Sequence, residues 1–150
     1  MIQLPGNLQE IWKNFEHVAL AYILTATIGW ESEQETHSAG VRTFPIVGMA
    51  SCGYLLLLGS PADAAAQSRL LQGLITGIGF IGGGAILKEG TGVRGTATAA
   101  SVWNAGVIGA AVAMDQYGIA VTLALLNLFT LRALLPLKKW LDSRNISDAR

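Results

Sequence analysis

The pattern of apolar and polar positions divides the chain into five apolar stretches separated by short polar turns. The stretches cover residues 15–30, 45–59, 70–87, 97–114 and 117–137. A helix needs about 20 apolar residues to cross a bilayer, and local thinning of the bilayer accommodates shorter ones. The pattern therefore predicts an all-α, polytopic membrane helix bundle with about five transmembrane helices. A soluble helical bundle is the alternative.

Small residues recur at helical spacing in the third and fourth stretches. An internal glycine costs a helix about 1 kcal/mol relative to alanine, but it lets two membrane helices approach closely. We therefore expect the third and fourth helices to pack through small-residue faces, so that leucine at Gly77 or Gly109 forces them apart. Residues four apart form three series: Gly73 and Gly77; Gly79 and Gly83; Ser101, Ala105, Gly109 and Ala113.

Composition agrees with a membrane location. Of the 150 residues, 51% are hydrophobic and 13% are charged, and the mean hydropathy is +0.45. Soluble domains carry about 25% charged residues. The single cysteine, Cys52, lies in an apolar stretch and is interpreted as a small buried residue.

Polar flanks border the apolar region at both ends. One helical face near the N-terminus is apolar, which predicts an amphipathic interfacial segment over residues 1–14. A transmembrane domain over residues 15–137 and a short cytoplasmic tail over residues 138–150 follow. For His17, a location at the membrane interface explains its presence without a binding site. The apolar face comprises Leu4, Leu8, Ile11 and Phe15.

Cations are distributed unevenly between the polar segments. If the C-terminus is cytoplasmic, only Lys13 and Arg69 lie outside. This is the bias that the positive-inside rule describes, so we expect the N-terminus outside and the C-terminus inside. The cations on the inner side are Arg42, Lys88, Arg94, Arg132, Lys138, Lys139, Arg144 and Arg150.

Residues 77–82 match the letters of the dinucleotide-binding pattern GxGxxG. That site needs a preceding strand and an acidic residue about 20 positions further on. Here an apolar helical pattern precedes the glycines, and no Asp or Glu lies near position 102. We interpret them as a helix-packing face. The alternative is a break in the third helix at Gly82–Gly84, with freed carbonyls lining a polar cavity.

The first inner loop combines carboxylates with a guanidinium, and we interpret it as a polar or cation site. Mg²⁺ suits such a site because it is bound through one or two carboxylates and retained waters. Glu31 and Glu33 do not face each other on a regular helix, so a shared ion requires the helix to end near Trp30. The alternative is solvated carboxylates, one of them paired with Arg42. The loop's charged residues are Glu31, Glu33, Glu35 and Arg42.

Asn104 is the most polar side chain well inside the fourth stretch, where hydrocarbon offers no hydrogen-bond partner. We group it with Glu31 and Arg42 in one cytoplasm-facing cavity beside the third-helix glycines; three separate satisfied groups are the alternative. The motifs HExxH and GxSxG are absent, so no enzyme activity is predicted. The net charge of zero gives no sign of nucleic-acid binding.

Three blocks, in this order, resemble the MgtC/SapB family of bacterial inner-membrane proteins, over about residues 19–137. The first, residues 31–44, is similar to the family's ERE…AGLRTH pattern. The second, residues 77–84, is similar to GIGFLGAG, and the third, residues 93–103, to VxGLTTAAxxW. The chain departs from these patterns at Ser32, Phe44, Gly83, Thr96 and Ala97.

The resemblance implies a five-span transmembrane domain linked to survival at low magnesium and, in some pathogens, to virulence. Family members are often described as magnesium transporters, whereas others modulate membrane proteins such as the ATP synthase. We therefore consider a protein of magnesium homeostasis or ion transport and, as the alternative, a regulator that binds helices of other membrane proteins. Mg²⁺ is then a possible ligand or substrate, and no cofactor is expected. The motif residues are Gly40, Thr43, Gly77, Gly79, Gly82, Gly84, Arg94, Gly95, Thr98 and Trp103.

Overall fold

The computed structural model describes residues 8–36, 39–59, 63–90 and 92–148, with side chains except at 34–36, 89 and 137–148. Within these ranges the chain forms five α-helices and one two-stranded antiparallel hairpin, which confirms the all-α prediction. The elements are α1 (Leu8–Thr36), α2 (Thr43–Leu56), α3 (Ala64–Gly84), β1 (Leu87–Glu89), β2 (Gly92–Arg94), α4 (Thr96–Ala113) and α5 (Tyr117–Asp148).

Two segments in the described ranges are long and apolar enough to cross a membrane, by length and composition. They are Thr96–Ala113 and Tyr117–Pro136. Helix α2 is also apolar but has only 14 residues. The predicted five spans and their orientation are therefore not decided by the helices alone.

Helix α4 is the centre of the bundle and contacts all four other helices. Its apolar and small residues surround the helix, as expected where most of its surface is covered by protein. The buried core includes Val102, Ile108 and Val112 of α4, together with Ile28 of α1 and Phe44 of α2. Helix α5 covers one side of α4 and leaves most of its own apolar surface exposed.

Glycines bring α1, α2 and α4 into close contact. A Cβ added at Gly109 of α4 would meet the backbone carbonyl of Gly48 in α2. A Cβ at Gly48 would in turn meet the side chain of Thr25 in α1. Because the neighbour of Gly109 is backbone, no side-chain rotation can relieve that contact.

Helix α3 lies at the edge of the bundle and packs mainly against α4. Gly82 approaches the Ala99 carbonyl, and the Ile78 side chain fills the space beside Gly106. The predicted α3–α4 packing is therefore correct at Gly82 but wrong at Gly77, where an added Cβ would meet nothing within 4 Å, and wrong at Gly109, which meets Gly48 of α2 instead. The same open space surrounds Gly73, Gly79, Gly83 and Gly84.

The segment between α3 and α4 differs from its prediction in two ways. Helix α3 continues through Gly82–Gly84 without the alternative break. It then ends at Gly84, and Leu87 lies in β1 rather than in the third helix. Gly95 caps α4 at φ +83°, and a Cβ there would meet the Ala85 carbonyl, so glycine is required by both conformation and space.

The described parts of the predicted N-terminal segment and C-terminal tail continue helices α1 and α5. Residues 8–14 form the first turns of α1 without a break, and the earlier part of the predicted interfacial segment lies outside the described residues. Helix α5 continues past Leu137 to Asp148, so backbone of the predicted tail is helical.

Candidate functional site

Glu31 lies on α1 near the end of the bundle that holds the α1–α2 loop, and its side chain is 14% exposed. Its Oε1 is 3.4 Å from Nε of Arg132 on α5. The sequence assigned Glu31 to the charged inner loop, but Glu31 lies on α1, and its described ion pair is with Arg132 rather than with Arg42. The ion pair connects the first and last helices, which lie far apart in sequence.

Glu33 and Ser32 close the α1–α2 loop onto α1. The Val41 N–H donates to Glu33 Oε2 at 3.2 Å, and the Ser32 hydroxyl donates to the Ala39 carbonyl at 2.9 Å. Gly40 is buried beside Glu33, whose side chain occupies the space a Cβ would need. These hydrogen bonds explain the spacing between the Glu-Ser-Glu and Ala-Gly-Val-Arg-Thr segments, because at that spacing the α1–α2 loop brings the two segments into contact.

Arg42 occupies the N-cap position of α2 and is exposed. Thr43 begins that helix, and Pro45 lies in its first turn, where the N–H that proline lacks has no partner within a helix. The side chain of Glu35 and residue His37 lie outside the described part of the chain.

Polar side chains also lie between α4 and α5. The Asn104 amide donates to the Leu123 carbonyl at 3.4 Å, so Asn104 faces α5 rather than the α3 glycines. The Ser101 hydroxyl donates to Asn127 Oδ1 at 2.8 Å. Among the described residues, Asn127 Nδ2 is the buried side-chain nitrogen that has no hydrogen-bond partner.

Sequence reasoning missed Asn127. A single amide in the apolar stretch 117–137 is the signal that could have identified it, because polar groups in a membrane helix need a partner on a neighbour. Thr98, a motif residue one turn from Ser101, is 2% exposed.

A cavity of about 310 Å³ lies between α2 and α3. Glu31, Arg42 and Asn104 do not line it, so the expectation that these three residues share a cavity beside the α3 glycines is wrong. Within the described part of the chain, no three His, Cys, Asp or Glu side chains group closely enough to hold a metal ion. The cavity lining includes Val47, Ser51, Tyr54, Gly73, Gly77 and Ile78.

The remaining motif residues have contrasting environments. Gly82 and Gly95 meet backbone carbonyls, whereas Gly77, Gly79 and Gly84 border open space. Trp103 is 46% exposed on α4, and Arg94 is exposed on β2.

At the opposite end of the bundle, His17 of α1 is buried, with 4% of its surface exposed. Its Nδ1 is 2.7 Å from the Lys13 carbonyl, and its Nε2 is 2.9 Å from Asp115 Oδ1 in the α4–α5 turn. The Tyr117 hydroxyl donates to the same Asp115 oxygen at 2.6 Å. The expectation that an interfacial location accounts for His17 is therefore replaced by a specific contact.

Asp115 ends α4 with an unusual backbone conformation. The Gln116 N–H bonds to the Ala111 carbonyl at 2.8 Å, and the Asp115 N–H bonds to Val112 at 3.1 Å. These two bonds define a Schellman motif, in which glycine usually takes the left-handed position. Asp115 takes it here at φ +57°, a conformation that aspartate and asparagine tolerate better than other residues with a Cβ.

Comparison with known proteins gives a consistent assignment. The chain is 34% identical over 110 residues to the protein MgtC of Salmonella typhimurium, covering 71% of this chain and 46% of that protein. It is 32% identical over 103 residues to the protein MgtC of Brucella abortus, covering 66% and 43%. An uncharacterised protein of Synechocystis is 29% identical over 125 residues, covering 83% and 53%.

The chain thus spans about half the length of the curated relatives it matches. No solved structure matches it significantly. The model of the MgtC family matches residues 18–140, which include all five helices at least in part. The chain therefore belongs to the MgtC family.

Proposed function

We propose that this chain is a non-catalytic, multi-pass protein of the bacterial inner membrane that serves magnesium homeostasis and adaptation to low magnesium. The observation that carries the proposal is the family match over residues 18–140. Family membership and the two long apolar helices together indicate a membrane protein.

The proposed topology has five spans, with the N-terminus outside and the C-terminus inside. The eight-to-two division of cations supports it. The contacts at the two ends of the bundle support the alternating directions of the helices, because His17 meets the α4–α5 turn at one end and Glu31 meets Arg132 at the other. Such pairs arise when successive helices run in opposite directions.

Reporter fusions test this topology. A fusion at Asp63 should report an external location and a fusion after Leu137 a cytoplasmic one. A cytoplasmic signal at Asp63, or an external one after Leu137, would refute the orientation.

Growth at low magnesium tests the role of the Glu31–Arg132 pair. We expect Glu31→Gln and Arg132→Gln to reduce complementation of a strain lacking the protein, at equal membrane levels. Arg42→Gln is the matched control for removing a cation from the same end of the bundle. If Arg42→Gln reduces growth as much as Arg132→Gln, the pair has no special role.

A regulator that binds helices of other membrane proteins is the second candidate. The observation that favours it is the open glycine surface of α3 beside the α2–α3 cavity, since glycines allow another helix to approach closely. Magnesium flux into proteoliposomes separates the candidates. Flux above that of protein-free vesicles supports transport, whereas its absence together with full complementation supports the regulator.

A further inference from the structure

The hydrogen bonds of His17 determine its protonation state. A carbonyl oxygen only accepts, so the contact with Lys13 requires a proton on Nδ1. An ionised carboxylate also only accepts, so the contact with Asp115 requires a proton on Nε2. The single hydroxyl proton of Tyr117 is directed to Asp115, which leaves the Tyr117 oxygen able to accept from Nε2 at 3.1 Å. This geometry is complete only when His17 is an imidazolium cation.

The position of Asp115 gives independent support. Its side chain is 57% exposed, yet one of its oxygens accepts from both His17 and Tyr117. It holds that oxygen from a left-handed position, where glycine is the usual residue and aspartate is among the few others that tolerate the conformation.

We propose that His17, Asp115 and Tyr117 form a proton-operated clamp that fastens α1 to the α4–α5 turn. The clamp is closed when the imidazolium and the carboxylate are both charged. The clamp therefore depends on the protons of His17, because both ring nitrogens must carry one for the contacts with Lys13 and Asp115 to form.

Opening follows from loss of the Nε2 proton to water. The bare Nε2 and Asp115 Oδ1 are then two acceptors in contact, and they repel. The Tyr117 hydroxyl, already within 3.1 Å of Nε2, can turn its proton from Asp115 to His17. Asp115 thereby loses both donors and is free to leave α1, while the Nδ1 bond to Lys13 persists.

The groups around Asp115 affect how low the pH must fall before its carboxylate is protonated and the clamp opens. Hydrogen bonds from Tyr117 and then His17 lower the pKa of the Asp115 carboxyl below its ordinary value, and the Lys13 charge adds to this. Protonation of Asp115, which would open the clamp from the acid side, therefore requires a lower pH than protonation of a free carboxyl. The other titratable groups near the cluster in the described residues are Glu16 on α1 and Cys52 on α2.

Nitrogen NMR of the full chain, labelled at histidine and held in lipid nanodiscs, tests the protonation state directly. We expect one of the two imidazoles to carry protons on both nitrogens at pH 6 and to lose one as the pH rises. His17→Gln should remove this signal, and His37→Gln should leave it in place. A His17 ring with one protonated nitrogen at every pH from 5 to 8 would overturn the proposal.

Thermal unfolding in the same nanodiscs tests the mechanical role. For the wild type and for Asp115→Asn, the unfolding midpoint at pH 6 is compared with that at pH 8.5. The rise in the midpoint at pH 6 should be about 2–4 °C larger in the wild type than in Asp115→Asn. The variant keeps the shape of the side chain and tolerates the left-handed backbone. His37→Gln should show the wild-type pH dependence. Equal pH dependence in wild type and Asp115→Asn would mean that no clamp operates. Both sides of a nanodisc are open to buffer, so this result does not depend on the proposed topology.

Discussion

Small residues recur every four positions in both α3 and α4, but the glycines of the two helices lie in opposite environments. In α4, Gly106 and Gly109 are buried, and each faces a close neighbour on another helix. In α3, Gly73, Gly77 and Gly79 face open space. The comparison shows that glycine spacing reveals which helix faces permit a close approach but does not identify the neighbour.

The difference has a structural cause. Helix α4 contacts four helices, and both of its glycines face a close neighbour on another helix. Helix α3 lies at the edge, where Ile78 and Gly82 are the residues it buries. The surface at its remaining glycines is therefore open to lipid, to another copy of the chain or to another protein.

The largest expected effect separates these two groups of glycines. Gly109→Leu should lower the free energy of unfolding by at least about 3 kcal/mol, the upper end for overpacking, because the new side chain meets the Gly48 backbone. Unfolding in detergent, monitored by circular dichroism, measures it. Gly53→Leu in α2 is the matched control, since nothing lies within 4 Å of a Cβ there. Equal loss in both variants would contradict the proposed close contact.

Gly95 extends the comparison to the hairpin. Gly95→Ala should cost more than the about 1–2 kcal/mol of a left-handed backbone, because its Cβ also meets the Ala85 carbonyl. Gly90→Ala is the matched control: Gly90 also has positive φ, +58°, but open surroundings. The difference between the two unfolding free energies measures the contact with Ala85. If Gly90→Ala is the more destabilising, that contact contributes nothing.

Much of the fold could be predicted from apolar periodicity. The stretch 97–114 corresponds to α4, and the fifth stretch begins at Tyr117, as α5 does. The hairpin could not be predicted because its strands, Leu87–Glu89 and Gly92–Arg94, have three residues each and mix apolar and charged side chains. Strands this short carry too little alternation to be distinguished from a helix end.

The site was less predictable, because its contacts join distant parts of the chain. Glu31 was placed in the loop after the first apolar stretch, whereas α1 continues to Thr36, and the partner of Glu31, Arg132, lies on another helix. His17 and Asp115 are 98 residues apart. Sequence spacing gives the neighbours along one helix and says nothing about which residues face one another between helices.

The Glu31–Arg132 ion pair is expected to have a smaller effect on the free energy of unfolding. Arg132 is 78% exposed, so solvent screens the pair, and its coupling energy should be about 0.5–1 kcal/mol. A double-mutant cycle of Glu31→Gln and Arg132→Gln in unfolding experiments measures it. The same cycle with Arg42→Gln in place of Arg132→Gln should give no coupling. Equal coupling in the two cycles would mean that the interaction is a general charge effect.

The smallest effect on stability is expected at Gly77, and it carries the most information about function. A leucine there enters the α2–α3 cavity, whose volume of about 310 Å³ accommodates it without moving a helix. Exposed substitutions usually change stability by less than about 0.5 kcal/mol, so the unfolding midpoint of Gly77→Leu should match that of the wild type. A fall like that of Gly109→Leu would show that α3 is covered in the folded protein.

With stability unchanged, growth at low magnesium becomes the decisive measurement. If another helix docks against this glycine surface, Gly77→Leu blocks it and complementation fails. Full complementation would mean that the open face of α3 contacts only lipid and that the regulator candidate needs a different surface.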